Sequence, residues 1–328
     1  MKALEISGLT KVYSGFRAVD SISFEVEEGE VFGLLGPNGA GKTTTIKTVV
    51  TISRPTSGRV VVFGIDAVER PDAVREMVGY VPQAVSVDGD LTGYENLLIF
   101  SKLSYVSKRG RDERIAFALR YMGLEERAGE LVKHYSGGMM RRLEIAQALV
   151  NRPRLLILDE PSIGLDPASK RQMWSYLKRM NREMGTTVLL TTHDMAEADE
   201  LCDRIAIMNE GRIAVTGSPS GLKAAIGGDV VSLTLDGDGM QLTGIPEEIG
   251  SVVGRDGPVV KIATRDASRA IPKLIQYLHE HGVAVSSVSF DRPSLDDVFL
   301  RYAKKTFEEG EGYREARMAR RVFARRSR

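Results

Sequence analysis

The chain has 328 residues, 42% hydrophobic and 27% charged, which suffices for an ordered core and suits one large domain with a smaller companion. Basic and acidic residues number 45 and 44, a net charge of +1, which excludes a protein whose whole surface is a nucleic-acid footprint. The balance is uneven: the stretch from Arg314 to Arg328 carries a net +6 and the residues before it a net −5. In chain order, Leu4-Glu5-Ile6 reads as a strand, and Ile22-Ser23-Phe24-Glu25-Val26 alternates apolar and polar as a half-buried strand does. After a turn at Glu28-Gly29-Glu30, Val31-Phe32-Gly33-Leu34-Leu35 is apolar throughout, the mark of a strand buried on both faces, and a Gly-rich loop and a helical segment follow.

Residues 91–132 are mostly helical in pattern and read as an insertion. Leu155-Leu156-Ile157-Leu158 is a second buried strand and Thr187-Val188-Leu189-Leu190-Thr191 a third. Between them Asp166-Pro167 opens a helix, with Asp as N-cap and Pro at the first helical position, that runs to about Met184 and stops at Gly185. Arg204 to Met208 and Ile213 to Val215 flank an Asn209-Glu210-Gly211 turn as a hairpin. Beyond Gly227-Gly228 come strand-like Val230 to Leu235, Val259 to Ala263 and Val283 to Phe290. A helix pattern from about Arg269 to His281 is closed by Gly282, and a last helix from Leu295 to about Lys304 has Ser294 as its cap.

The order implies an α/β protein: a mainly parallel core sheet, an antiparallel β subdomain, a helical insertion and a small C-terminal α+β domain. The expected domains are residues 1–222, with the helical insertion at about 91–150, then 229–305, then a basic tail at 306–328. The single cysteine, Cys202, excludes an internal disulfide and fits a reducing cytosolic setting. No apolar run approaches the roughly 20 residues that cross a bilayer, and no signal peptide is seen, so a soluble chain with peripheral membrane association at most is expected.

The sharpest chemical signal is Gly36-Pro37-Asn38-Gly39-Ala40-Gly41-Lys42-Thr43, a full G-x-x-x-x-G-K-[ST] match between a buried strand and a helix, as in P-loop NTPases. Its glycines let backbone N–H groups point inward at phosphate oxygens, and the helix behind directs its positive end the same way. In that reading Lys42 holds the β- and γ-phosphates, Thr43 ligates Mg²⁺, and Thr44 adds a donor near the phosphates. Leu155 to Leu158 then deliver Asp159 and Glu160 to the carboxyl edge of the sheet. Asp159 is suited to help hold Mg²⁺, and Glu160 to polarise the water that attacks a γ-phosphate.

Tyr135-Ser136-Gly137-Gly138-Met139, with Ser136 lying 23 residues before Asp159, resembles the signature sequence of ABC-type ATPases. A serine hydroxyl and glycine backbone ahead of a helix starting at about Met139 make a second anion cradle. The resemblance covers about residues 2–220 and implies further roles: Tyr13 as the aromatic that stacks on adenine, with Val19 beside it, Gln83 linking Mg²⁺ and water to the transporter interface, His193 as the switch histidine at the γ-phosphate, and Asp166 in the loop joining two active sites. The signature departs from the usual Leu-Ser-Gly-Gly-Gln, with Tyr135 and Met139 in place of Leu and Gln, while the phosphate-facing Ser136, Gly137 and Gly138 are kept.

The segment Asp291-Arg292-Pro293-Ser294-Leu295-Asp296-Asp297-Val298-Phe299 is similar to the accessory domain of daunorubicin-resistance-type ATPase subunits. That resemblance implies an ATP-hydrolysing subunit, with ATP and Mg²⁺, that pairs with a separate membrane permease at the cytoplasmic face to export a hydrophobic compound such as a drug or antibiotic. One phosphate loop and one signature per chain imply a head-to-tail homodimer; no nucleic-acid partner is expected. Alternatives in view are a soluble ABC ATPase of translation or DNA repair, a non-catalytic nucleotide-binding module opposed by the retained Glu160 and His193, and a subunit exporting lipid or polysaccharide. The tail arginines, Arg314, Arg317, Arg320, Arg321, Arg325, Arg326 and Arg328, suit either anionic headgroups or solvent.

Overall fold

The structure, a computed structural model, describes residues 1–235 and 245–302. It divides into two compact units, Met1–Ser218 and Pro219 onward. The first unit begins with β1 (Lys2–Tyr13), β2 (Phe16–Glu27), β3 (Val31–Leu35), α1 (Lys42–Val49), β4 (Ser57–Val62), β5 (Ile65–Asp66), α2 (Pro71–Met77) and β6 (Val78–Val81). The helical insertion follows as α3 (Gly93–Leu103) and α4 (Arg111–Tyr121), with α5 (Gly137–Leu149) returning to the sheet. Then come β7 (Leu155–Asp159), α6 (Pro167–Met184), β8 (Thr187–Thr192), α7 (Met195–Leu201), β9 (Arg204–Asn209) and β10 (Arg212–Gly217).

Six strands form the central sheet in the order β10-β9-β3-β8-β7-β6. All neighbours in it are parallel except the β9–β10 hairpin. Every residue of β3, β7 and β8 is buried, which is why their sequences are unbroken by outward-facing charge. Parallel pairing puts the carboxyl ends side by side: Leu35 pairs with Thr192, Asp159 with Thr191, and Val81 with Leu158. The phosphate loop, the acidic strand end, the segment after β8 and the Gln83 loop therefore leave the sheet at one edge.

The antiparallel sheet β2-β1-β4-β5 shares one core with β3, β7, β8, β9, α1 and α2. Phe24 of β2 stacks on Phe32 of β3 at 5.2 Å between centroids. Each large side chain so buried contributes roughly 1.5–3 kcal/mol. In α6 the expected boundaries are seen: Asp166 accepts from the Ala168 and Ser169 N–H groups at 2.9 and 3.0 Å, and Gly185 ends the helix at φ 63°. Its Met173, Leu177 and Met180 are buried at helical spacing. The signature helix α5 starts at Gly137 rather than at Met139, because Ser136 itself is the N-cap, accepting from Met139 N–H.

The second unit contains α8 (Pro219–Ile226), β11 (Asp229–Leu235), β12 (Ser251–Asp256), β13 (Val259–Thr264), α9 (Ala267–Glu280) and β14 (Val285–Asp291). Its antiparallel sheet has the order β12-β13-β11-β14. Ala270, Leu274 and Leu278 of α9 cluster with Val231, Leu233, Val260 and Ile262. A helical segment spans 295–302. Its cap is reciprocal: Ser294 Oγ accepts from Asp297 N–H at 3.2 Å, and the Asp297 carboxylate takes Ser294 N–H at 2.9 Å.

Arg301 donates to Ile226 O at 2.7 Å, tying this segment to α8. The division between units accordingly falls before α8, between Ser218 and Pro219, four residues ahead of the expected end of the first domain at residue 222. The basic tail and the last two residues of the expected final helix lie outside the described residues. Among the described residues no helix is long and apolar enough to cross a membrane.

Candidate functional site

Two glycines fix the phosphate loop. A Cβ on Gly36 would lie 2.1 Å from Met208 O; Gly41 has φ 105°, and a Cβ there would lie 2.5 Å from Ala18 O. Neither position accepts a side chain without moving backbone. Pro37, Asn38 and Gly39 are exposed at the tip, while Ala40 is buried and its carbonyl accepts from Gly211 N–H at 3.0 Å. Val19 is fully buried beneath Gly41, so it supports the loop from behind. Thr44, in the first turn of α1, is half-buried, and its carbonyl accepts from Thr48 Oγ1 at 3.0 Å.

The loop curls around the Lys42 ammonium, which donates to Gly36 O at 2.7 Å and Pro37 O at 3.2 Å and lies 3.0 Å from Glu160 Oε1. Lys42 and Glu160 are each about 5% exposed, so the pair is desolvated. The other carboxylate oxygen, Glu160 Oε2, meets His193 Nδ1 at 2.6 Å, and the histidine side chain is 46% exposed. Glu160 has φ 52°, a left-handed backbone that a glutamate adopts only where its surroundings impose it. Its N–H is held by both the carbonyl and the hydroxyl of Thr191, at 3.1 and 3.0 Å.

Asp159 Oδ1 accepts from Thr43 Oγ1 at 3.1 Å and from Thr191 Oγ1 at 2.6 Å. Its Oδ2 is buried with no hydrogen-bond partner. A buried carboxylate oxygen without a donor, beside a threonine hydroxyl, is the hard-oxygen set that a small divalent cation satisfies. Thr191 was not singled out by the sequence beyond its place in a strand, yet it touches both acids.

Asp194, next to His193, caps α7 and pairs with Lys170 of α6 at 2.7 Å. Burial works against its charge, but the Lys170 hydrogen bond and charge and the α7 N–H groups outweigh it and hold the carboxyl below its ordinary range. Lys170 and Asp194 are further positions that the sequence did not single out; they fix the segment carrying His193 relative to the helix that follows Asp166.

Not every expected residue joins this cluster. Tyr13 stands 43% exposed, its hydroxyl 3.3 Å from Ser53 Oγ and Lys11 Nζ over its ring at 4.8 Å. Gln83 is exposed in the loop after β6. Ser136 and Gly137 are exposed at the start of α5, and Gly138 is half-buried, where a Cβ would lie 2.9 Å from Ser169 Oγ. Tyr135, in place of the usual leucine, is buried and donates its hydroxyl to Arg127 O at 2.7 Å. Asp166 is exposed, its Oδ2 accepting from Ser169 Oγ at 2.5 Å, and these hydrogen bonds hold its carboxyl below its ordinary range, Ser169 first.

A glycine loop wrapped around a buried lysine, at the same sheet edge as paired acids and a histidine, defines a P-loop ATPase site. The family profile for ABC transporters matches residues 19–163, and that for the DrrA1-3-like ATP-binding protein C-terminal domain matches residues 217–303. The chain is 42% identical over 303 residues to the daunorubicin/doxorubicin resistance ATP-binding protein DrrA of Streptomyces peucetius, covering 91% of this chain and 92% of that one.

Among solved structures, cbiO1 of Clostridium perfringens, part of the ABC transporter complex cbiONQ, aligns with a TM-score of 0.64 and 30% identity over 68% of this chain and 91% of its own. A dimeric post-hydrolysis state of the cassette MJ0796 with ADP and Pi aligns with a TM-score of 0.60 and 28% identity over 66% and 98%. The chain belongs to the ABC transporter family, among the ATP-binding, ATP-hydrolysing subunits of the daunorubicin-resistance type.

Proposed function

We propose that this chain is the ATPase of an exporter for a hydrophobic compound of the drug or antibiotic class, working as a head-to-tail homodimer on a separate permease at the cytoplasmic membrane face. The observation that carries the reading is the convergence of Lys42 and His193 on Glu160, in a chain whose likeness to the resistance protein runs through both units. The first unit, to Ser218, serves as the ATPase domain, and the stretch from α8 to about residue 305 as the accessory domain.

The adenine stacks on the exposed Tyr13 ring, while the N–H groups of Asn38, Gly39, Gly41, Lys42, Thr43 and Thr44 and the Lys42 ammonium take the phosphates. Thr43, Asp159 and Gln83 are suited to hold Mg²⁺, which when bound neutralises charge on the β- and γ-phosphate oxygens. Glu160 accepts a hydrogen bond from the attacking water and so orients it. His193 spends Nδ1 on Glu160, which leaves its second ring nitrogen for the γ-phosphate. Ser136, Gly137 and Gly138 at the start of α5 close the site of the second copy, and Asp166 joins the two sites.

Glu160→Gln tests the chemistry. It keeps the side-chain shape but removes the water-polarising charge, so hydrolysis is expected to fall by about 100-fold or more while ATP still binds; unchanged turnover would sink the role of Glu160. Extraction of the tagged chain with mild detergent tests the partner. A multi-spanning membrane protein in the eluate supports the transporter, whereas ribosomes or nucleic acid without one overturn it.

A further inference from the structure

Arg141 lies in the second turn of α5, five residues after Ser136, and with Glu144 forms a buried pair at 2.8 Å; the two residues are 6% and 2% exposed. The arginine uses every N–H it has. Nε donates to Pro161 O at 2.9 Å, and Nη2 to Asp159 O at 2.9 Å and Glu160 O at 3.2 Å. Nη1 donates to Glu144 Oε2 and, at 2.7 Å, to Pro82 O, the carbonyl directly before Gln83. Glu144 Oε1 in turn accepts from Ser86 N–H at 2.6 Å and Ser86 Oγ at 3.0 Å, so it holds the far side of the same loop.

We propose that the Arg141–Glu144 pair is a positioning element that makes the signature helix, the Gln83 loop and the end of β7 move as one body. Engagement of Ser136 by the nucleotide of a second copy is thereby transmitted to the backbone of Glu160 and to Gln83 in the same chain. The proposal rests on the reading of Ser136 as a contact to the partner's ATP.

Three physical points carry it. A buried ion pair is a poor way to gain stability, because desolvation offsets most of the attraction, but a fully satisfied one fixes geometry. The planar guanidinium holds five donors in fixed directions, so displacement of α5 by a fraction of a hydrogen-bond length must either break these bonds or carry the carbonyls along. And the carbonyl that Arg141 holds at Glu160 belongs to the residue with left-handed backbone, where rotation of the peptide re-aims the side chain.

The test compares full-length wild type with Arg141→Lys, Glu144→Gln, the double variant and Ser86→Ala, reading binding of a fluorescent ATP analogue, ATP-driven dimerisation by sedimentation, steady-state ATPase and thermal melting. Lysine cannot span the same carbonyls and glutamine removes the charge. Each single core variant is expected to lose about tenfold or more in kcat with analogue affinity within about twofold of wild type, and the double variant to be no worse than the worse single, since the pair acts as a unit.

Ser86→Ala leaves the Ser86 N–H bonded to Glu144, so the variant is expected to fold with only a small loss of melting temperature and keeps the question answerable should a core variant fail to fold; its kcat falls by about two- to threefold. Wild-type kcat in folded variants, losses that multiply in the double, or kcat and ATP affinity falling together would overturn the relay while leaving the proposed function standing. A Ser136→Arg chain that dimerises and hydrolyses as wild type overturns the shared-site reading itself, and the relay with it.

Discussion

Thr191 shows how much one hydroxyl can organise. It is fully buried, donates to Asp159 at 2.6 Å and shares the Glu160 N–H, so both acids take their positions from it. Thr191→Val is nearly isosteric but removes the donor, leaving Asp159 with only the Thr43 hydroxyl. The expected cost is about 1–3 kcal/mol of stability in melts without nucleotide, together with a higher Mg²⁺ concentration for half-maximal ATPase. Thr191→Ser should keep the Mg²⁺ dependence, and identical melts for the valine and wild-type chains would show that Asp159 is held by the rest of its surroundings. The sequence made Lys42, Thr43 and Asp159 legible because each sits at a fixed place in a motif. It was silent on Thr191 because the Asp159–Thr191 pairing is a matter of register between strands that are distant in sequence.

Elements were legible where their ends carry their own chemistry. The capping aspartate, proline and terminal glycine gave α6 to the residue, and unbroken apolar runs gave β3, β7 and β8. Strand β12 was missed because Ser-Val-Val-Gly-Arg-Asp has neither alternation nor an unbroken apolar run; its pairing with β13 makes it a strand. A prediction belongs to α7, whose Glu197 is fully buried and takes the Trp174 Nε1–H of α6 at 3.0 Å. Burial pushes this carboxyl above its ordinary range, against the hydrogen bonds of Thr192, Ser162 and Trp174. The folded chain therefore binds this proton more tightly than the unfolded one, so the residue costs stability as pH rises from the ordinary glutamate range through its raised value, and costs nothing below it. Glu197→Gln carries no such penalty. Its melting temperature should exceed that of wild type near neutral pH, and the gap should close towards about pH 4 in melts followed by Trp174 fluorescence. Parallel curves would mean that Glu197 does not titrate differently on folding.

At the scale of the whole molecule, one phosphate loop and one signature per chain can complete a site only between copies if each nucleotide needs both. Ser136 and Gly137 are solvent-exposed at a helix N-terminus, and among the described residues no hydrogen bond links them to the Lys42–Glu160–His193 cluster. Glu160→Gln should trap ATP and give a dimer in sedimentation. In the proposed head-to-tail arrangement, adding Ser136→Arg to that background puts a bulky side chain in the space meant for the second copy's γ-phosphate, and should return the chain to monomer while each copy still binds ATP, because its own loop, Lys42 and Tyr13 are untouched. If the double variant loses ATP binding altogether, the signature serves the site of its own chain and the head-to-tail arrangement is wrong. If it remains a dimer with ATP bound, association is made elsewhere in the chain, and the exposed face of the second unit becomes the place to mutate next.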